Sequence, residues 1–357
     1  MIKKILKITR NLMILIIGIT SLYLINLFYM KPFSIDHFLG KELAMELVDS
    51  PEALTYIGIF DRFNWITKHN SKLSIPEDGD LENEINKTKG IIRNLYKYED
   101  VNLSDTQKST KKIAIFDYEN NLKELQDFPY HDYPLNQIGG IHLNTIEFMS
   151  DMHPVRNKNE ANDFIKRVNL IKEVYEGIAT ELEKQSEAGI FPPEFVYVRV
   201  IEQLNEFINY SYDEHPLYNQ FNKKVLLLNL NEEEEEFFKN AIKNSIDKSV
   251  TPGFKILRAF MLKTQKNANK NHGVWSQPNG DEFYKLRIRT FTTTDYSPEE
   301  IHQMGLNEVE RISNRMKEIL TSLGYDEKKS VGELMNELNE NPDFLYADTP
   351  DLSLIHI

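Results

Sequence analysis

Nine histidines are spread along this 357-residue chain: His37, His69, His131, His142, His153, His215, His272, His302 and His356. Zinc hydrolysis needs ligands held together, commonly two histidines one helical turn apart with a glutamate beside them as base. No histidine here is followed by glutamate, and no two lie three or four residues apart. A complete metal site is therefore not expected within this chain, and neither catalytic nor metal-ligating residues are assigned. No G-x-S-x-G elbow or glycine-rich phosphate loop occurs either. Gly139-Gly140 is an isolated pair and reads as a turn.

The richest chemistry lies in Tyr284 to Met316, YKLRIRTFTTTDYSPEEIHQMGLNEVERISNRM. It couples a Thr-rich strand or loop to a strongly signalled helix. Thr292, Thr293 and Thr294 are able to present hydroxyls and amides to a peptide by strand addition. They equally suit a plain extended connector, being β-branched. Arg287 and Arg289 alternate, and an arginine in a cleft clamps a carboxylate in a fork; a surface salt bridge is the plainer reading. His302 borders the apolar face of its helix. It is either a partly buried, satisfied histidine or a substrate contact.

The elements that must position these groups read as helices. Ser297-Pro298-Glu299-Glu300 is a capping box with proline at the first helical position. Ile301, Met304, Gly305, Val309, Ile312, Met316 and Ile319 then form one apolar stripe, and Gly305 suggests close helix contact. Ser50-Pro51-Glu52 is a second start signal. Ala161, Phe164, Ile165, Val168, Ile171, Tyr175, Ile178 and Leu182 predict one long amphipathic helix, broken at Gly189 to Pro193. The next helix starts at Pro192 or Pro193. The acidic run Glu232 to Glu236 behind Asn231 reads as a first helical turn. His69 to Gly90 reads as a loop or weakly ordered insert. Ile113 to Phe116 and Val225 to Leu228 fit either strands or buried helix.

Leu12 to Met30 carries no charge, and Lys3, Lys4, Lys7 and Arg10 precede it. Such a stretch just spans a hydrocarbon core of ~30 Å. The positive-inside rule places the N-terminus in the cytoplasm and the body outside, as a single-pass cell-membrane protein. A cleaved signal peptide is the rival reading. The net charge of -13 disfavours a nucleic-acid partner. The absence of cysteine excludes disulfides, thiolate ligands and a lipidated N-terminal cysteine.

Four ordered stretches carry a family resemblance: Asp49 to Trp65, Tyr133 to Asn157, Gly189 to Ile208 and His272 to Ile312. The chain resembles the N-terminal portion of the bacterial domain-of-unknown-function 885 family. That resemblance implies a mostly α fold similar to gluzincin-type zinc peptidases, whose long helices wall a deep channel. It implies an active-site helix H-E-x-x-P-G-H-H downstream, which this chain lacks. Tyr284, Thr292, Thr293, Thr294, Glu300 and His302 match a recurrent family segment. With Arg287, all but Glu300 are the substrate-binding candidates.

The expectation is then an N-terminal fragment of a membrane-anchored, zinc-dependent peptidase-like hydrolase. Zn and a peptide or amide substrate are expected for the full-length protein only. The alternative is a non-catalytic membrane-tethered helical binding protein. The expected division is 1–31 as cytoplasmic tip and transmembrane anchor, 32–350 as an incomplete helical domain, and 351–357 (DLSLIHI) as a non-native tail. An incomplete domain should leave the Ile301-to-Ile319 stripe exposed.

Overall fold

The structure is a computed structural model that describes residues 2–345. The tail expected at 351–357 lies outside the described residues. Among these, every regular element is a helix, and the one β contact is an isolated bridge between Pro193 and Asn269. The chain divides into two units, Met1–Tyr284 and Lys285–Ile357.

The first unit opens on α1 (Ile2–Tyr29), whose Leu6–Tyr29 portion is apolar and almost wholly exposed. Its 24 residues would extend about 36 Å, enough to cross a bilayer. Helices α2 (Ile35–Asp49) and α3 (Pro51–Ile57) follow, with Ser50 capping α3 through Ala53 N. A short turn, α4 (Asn64–Thr67), precedes the hairpin of α5 (Asp80–Tyr96) and α6 (Asp105–Asp127). Ile35 and Phe38 of α2 pack with Ile91, Leu95 and Tyr98 into a small core. The Tyr98 hydroxyl donates to the Pro32 carbonyl at 2.8 Å, tying the exit of α1 to this core.

The larger core belongs to α7 (Ile141–Glu147), α8 (Lys158–Val168), α9 (Ile171–Glu187), α10 (Glu194–Asn209), α11 (Pro216–Leu226), α12 (Glu232–Ser245) and α13 (Thr251–Thr264). Phe164, Tyr175, Tyr197, Phe221 and Phe254 are fully enclosed there. Two single-turn π-helices, Phe148–Met152 and Ile246–Val250, interrupt the regular ladder. As expected, Asn231 caps α12 with four glutamates in its first turn. The caps and the dipole both favour that placement.

Several expectations are corrected. The stripe from Ala161 to Leu182 is two helices, broken at Asn169-Leu170. Ser249 causes the break: its hydroxyl donates to Asn169 O and accepts from Lys172 N, each at 3.0 Å. The break thus satisfies backbone groups that a continuous helix would have used internally. Residues 80–90 are helical, forming the start of α5. The apolar run from Ile113 lies in α6, and that from Val225 straddles the end of α11 at Leu226.

Helix α14 (Gly280–Thr292) spans the boundary between the units. The second unit continues with α15 (Pro298–Ser322) and α16 (Val331–Glu340), each begun by a capping box. These two pack together and bury Leu320 and Leu334. Of the predicted α15 stripe, Met304, Val309, Ile312 and Ile319 are exposed, while Ile301 and Met316 are half-buried. Gly305 has no neighbour within 4 Å of where a Cβ would stand, so it mediates no close helix contact.

Candidate functional site

The Thr-rich segment, expected as a strand or loop, is helical as far as Thr292, and Thr293 and Thr294 lie in the connector to α15. Thr290 and Thr292 turn their hydroxyls back to Leu286 O and Ile288 O at 3.0 and 2.8 Å, which lets β-branched residues stay in a helix. Thr293 then enters the left-handed region at φ 55° and ends the helix. Thr292 Oγ1 lies 2.8 Å from Thr294 Oγ1 and accepts from Thr294 N at 3.3 Å. Such a turn has no free strand edge, so strand addition is not available to it as it stands. Arg287 lies over the Phe291 ring at 5.0 Å, and Arg289 pairs with Asp295. His302 is exposed on the first turns of α15, not partly buried as its apolar neighbours suggested. Tyr284, the last residue of the first unit, is also exposed.

A denser polar assembly, which the sequence did not flag, lies within the first unit. Arg167 on α8 is fully buried. Its Nε donates to Lys72 O at 2.6 Å, and its Nη2 to Thr55 Oγ1 at 3.0 Å and to the Pro51 and His69 carbonyls. The guanidinium also lies over the Phe148 ring. Among the described residues no carboxylate pairs with it directly; burial lowers it to about 10. One cation thereby gathers the carbonyls of a 22-residue excursion.

Around it the network continues. Thr55 Oγ1 reaches Asn70 Oδ1 at 2.8 Å, Asn70 N donates to Asn64 Oδ1 at 3.0 Å, and Asn64 Nδ2 donates to Asp163 at 2.9 Å. His153 is buried with both ring nitrogens 2.8 Å from carbonyls, of Pro154 and Asn70. Those contacts favour the charged ring, but burial and the nearby Arg167 outweigh them and push it down to about 3. The ring is therefore neutral at physiological pH.

Where this network meets the surface, a cavity of about 600 Å³ opens between residues 61–71 and the first turns of α8. Asp61 on its wall pairs with Arg156 at 2.6 Å, and Arg156 also forks onto Glu160 at 2.9 Å. Behind it, buried His69 places Nε2 3.5 Å from Asp61 Oδ1 and Nδ1 2.6 Å from Thr67 Oγ1. Burial lowers the His69 pKa against the opposing pull of Asp61. Asp163 is held by Lys166 at 2.8 Å. Trp65 stands 75% exposed beside Arg62 and Lys68 on the open side.

Among the described residues, no group of three or more His, Asp or Glu side chains is disposed to share a metal ion. Residues 51–353 match a family described as a bacterial protein of unknown function, DUF885. A crystal structure of a Colwellia psychrerythraea protein described as a lipoprotein shares the fold, with a TM-score of 0.71 and 22% identity. The match covers 86% of this chain and 55% of that one, so the chain spans about half the length of that structure. No curated protein matches the chain.

Proposed function

The chain belongs to the bacterial family of unknown function DUF885, and we propose that it is the membrane-anchored helical scaffold of a zinc-dependent peptidase-like hydrolase. The observation that carries this reading is α15. Val309 is 64% exposed and Ile312 47%, on a helix that is otherwise well capped. An apolar face of that length calls for a partner surface. The structural neighbour is nearly twice as long as the region it shares with this chain. In this reading a further segment covers the α15 stripe and carries the reactive centre.

The donor set of this chain does not fit the zinc that the family resemblance implies, since no three candidate ligands converge among the described residues. No metal-dependent step is therefore assigned to it. Its own residues would contact a peptide or amide substrate: exposed His302, the Thr292–Thr294 hydroxyl turn with Thr293 at its tip, Arg287 and Tyr284. The scaffold sits outside the cytoplasm, held by α1, with the basic N-terminal residues inside. The neighbour is described as a lipoprotein; this chain has no cysteine to carry a lipid, so α1 would supply the tether instead.

Zinc content and peptide hydrolysis of the purified full chain in detergent test the proposal. Neither stoichiometric zinc nor turnover is expected; finding both overturns it. The alternative is a non-catalytic, membrane-tethered binding protein. It would gain if the in-frame coding sequence beyond residue 350 encoded no His-Glu pair followed by Gly-His.

A further inference from the structure

We infer that α2 is seated on the lipid bilayer beside α1, with the row Gly40, Leu43, Ala44, Leu47 and Val48 against the boundary between headgroups and acyl chains. This rests on the reading of α1 as a membrane span. It adds that the body is stapled to the membrane surface and does not hang from a loose tether.

The link between α1 and α2 is five residues long, Met30 to Ser34. Its backbone is satisfied by the protein itself. Asn26 Nδ2 donates to Lys31 O at 2.8 Å, and Asn26 Oδ1 accepts from Phe33 N at 3.0 Å. The Tyr98 hydroxyl donates to Pro32 O. Three polar groups of a non-helical link thus have protein partners where a link in water needs none. A backbone at the edge of a bilayer, where water is scarce, requires them. Asn26, an amide inside an otherwise apolar helix, is buried by this link, while the Phe33 ring stays 79% exposed.

The body meets α1 alongside its last two turns and not beyond its end. The His37 ring of α2 stands edge-on to Tyr23, with centroids 5.5 Å apart. Tyr23, Asn26 and Leu27 are covered, whereas residues 6–22 of α1 are all exposed. Tyr23 lies about 10 Å along the axis before Met30. A hydrocarbon core of ~30 Å takes about 20 residues, which end near Lys31 counted from Leu12 and near Ile25 counted from Leu6. Tyr23 falls inside either count, so the start of α2 is held at the membrane boundary.

His37 also marks the side of α2 that looks toward α1. Gly40, Ala44, Leu47 and Val48 continue that side at helical spacing, and Leu43 borders it. The row carries no charge, and Leu43 and Val48 are 58% and 56% exposed. The charges beside it are engaged: Lys41 with Glu42 at 2.6 Å, and Asp36 with Gln107 at 2.7 Å. Across the helix, Ile35 and Phe38 enter the small core, and Glu42 and Glu46 lie near Tyr118 of α6. A helix facing water turns its carboxylates outward. Helix α2 turns apolar residues outward, on the side where α1 enters lipid, as interfacial helices do.

The test places the full chain in nanodiscs of phosphatidylethanolamine and phosphatidylglycerol. Single cysteines carry a spin label: Leu43→Cys and Val48→Cys on the row, Ile16→Cys in α1, and Glu233→Cys in α12. Collisions with oxygen, which concentrates in lipid, and with a nickel chelate, which stays in water, report the depth of each label. Leu43→Cys and Val48→Cys should favour oxygen and sit about 5–10 Å into the boundary. Glu233→Cys should favour nickel. If either row variant does not fold, Ala44→Cys reads the same face. Nickel access along the row, with Ile16→Cys still in lipid, overturns the seat and leaves the anchor standing. Labels on the row shielded from both probes overturn it as well, because a further protein segment or a second copy would then cover this face. Nickel access at Ile16→Cys overturns the anchor, and the seat with it.

Discussion

The guanidinium of Arg167 and the carbonyl of Lys72, 95 residues apart in sequence, meet at 2.6 Å in the interior. The same side chain takes the Pro51 and His69 carbonyls and the Thr55 hydroxyl. It therefore ties α3 and the turn from His69 to Lys72 to α8. Arg167→Leu would leave several buried acceptors without a donor, at a cost of about 3–5 kcal/mol. Arg167→Lys keeps the charge but loses the fork, and should fall between leucine and wild type. Thermal melts rank the three proteins. Limited proteolysis should locate the first cuts of the leucine variant between residues 51 and 72.

Two glycines should respond to alanine with opposite signs. At Gly253 a Cβ would stand 2.9 Å from Tyr175 Cδ2 and 3.4 Å from Lys172 Cα, where α13 crosses α9. Gly253→Ala should cost about 1–3 kcal/mol through overpacking. At Gly305 a Cβ meets nothing within 4 Å. Gly305→Ala, in the middle of α15, should gain up to about 1 kcal/mol from helix propensity. Denaturant titration of each variant checks both, and a destabilised Gly305→Ala would mean that this face has a partner.

That contrast shows which parts of the fold the chain declares locally. Ser297 with Glu300, Ser50 with Pro51, and Asn231 before its glutamates are signals closed within four residues, and all three helices start where they point. The break at Asn169 was illegible because its cause, Ser249, is 80 residues away. The Thr run was legible in part: Thr293 and Thr294 do lie in a connector before α15, but the Thr292 hydroxyl bond to the Ile288 carbonyl keeps Thr292 in the helix. The periodicity of α15 showed that it has an apolar face, and that face is exposed at Met304, Val309 and Ile312. The cavity beside Trp65 was not legible, since its walls come from segments about 95 residues apart and Arg167 joins them.

His215 makes stability depend on pH in a defined window. Its Nδ1 accepts from Leu217 N and so caps α11, while its buried Nε2 has no hydrogen-bond partner. Burial pushes its pKa down from 6.5 to about 4. Between those values the unfolded chain binds a proton that the folded chain refuses. Stability is full above 6.5 and falls as pH drops toward 4, by about 1.4 kcal/mol per pH unit for one proton. His215→Asn keeps a capping oxygen and removes the titration. Its melting temperature should decline less than that of wild type between pH 7 and 4.5; parallel curves would remove His215 as a cause.

The proposed topology has a direct readout because the chain contains no cysteine. A single cysteine introduced at Lys4, before the apolar run, and another at exposed Glu233 in α12 report the two sides of the membrane. With α1 spanning the bilayer and the body outside, a membrane-impermeant maleimide should label Glu233→Cys in intact cells. Lys4→Cys should label only after the membrane is opened. The protein should also stay with the membrane through high salt and carbonate, since an apolar stretch of 24 residues is held by burial and not by charge. Release of Glu233→Cys into the medium would mean that the N-terminal helix is removed as a signal. Labelling of Lys4→Cys in intact cells would reverse the orientation, because the four basic residues before Leu12 would then lie outside.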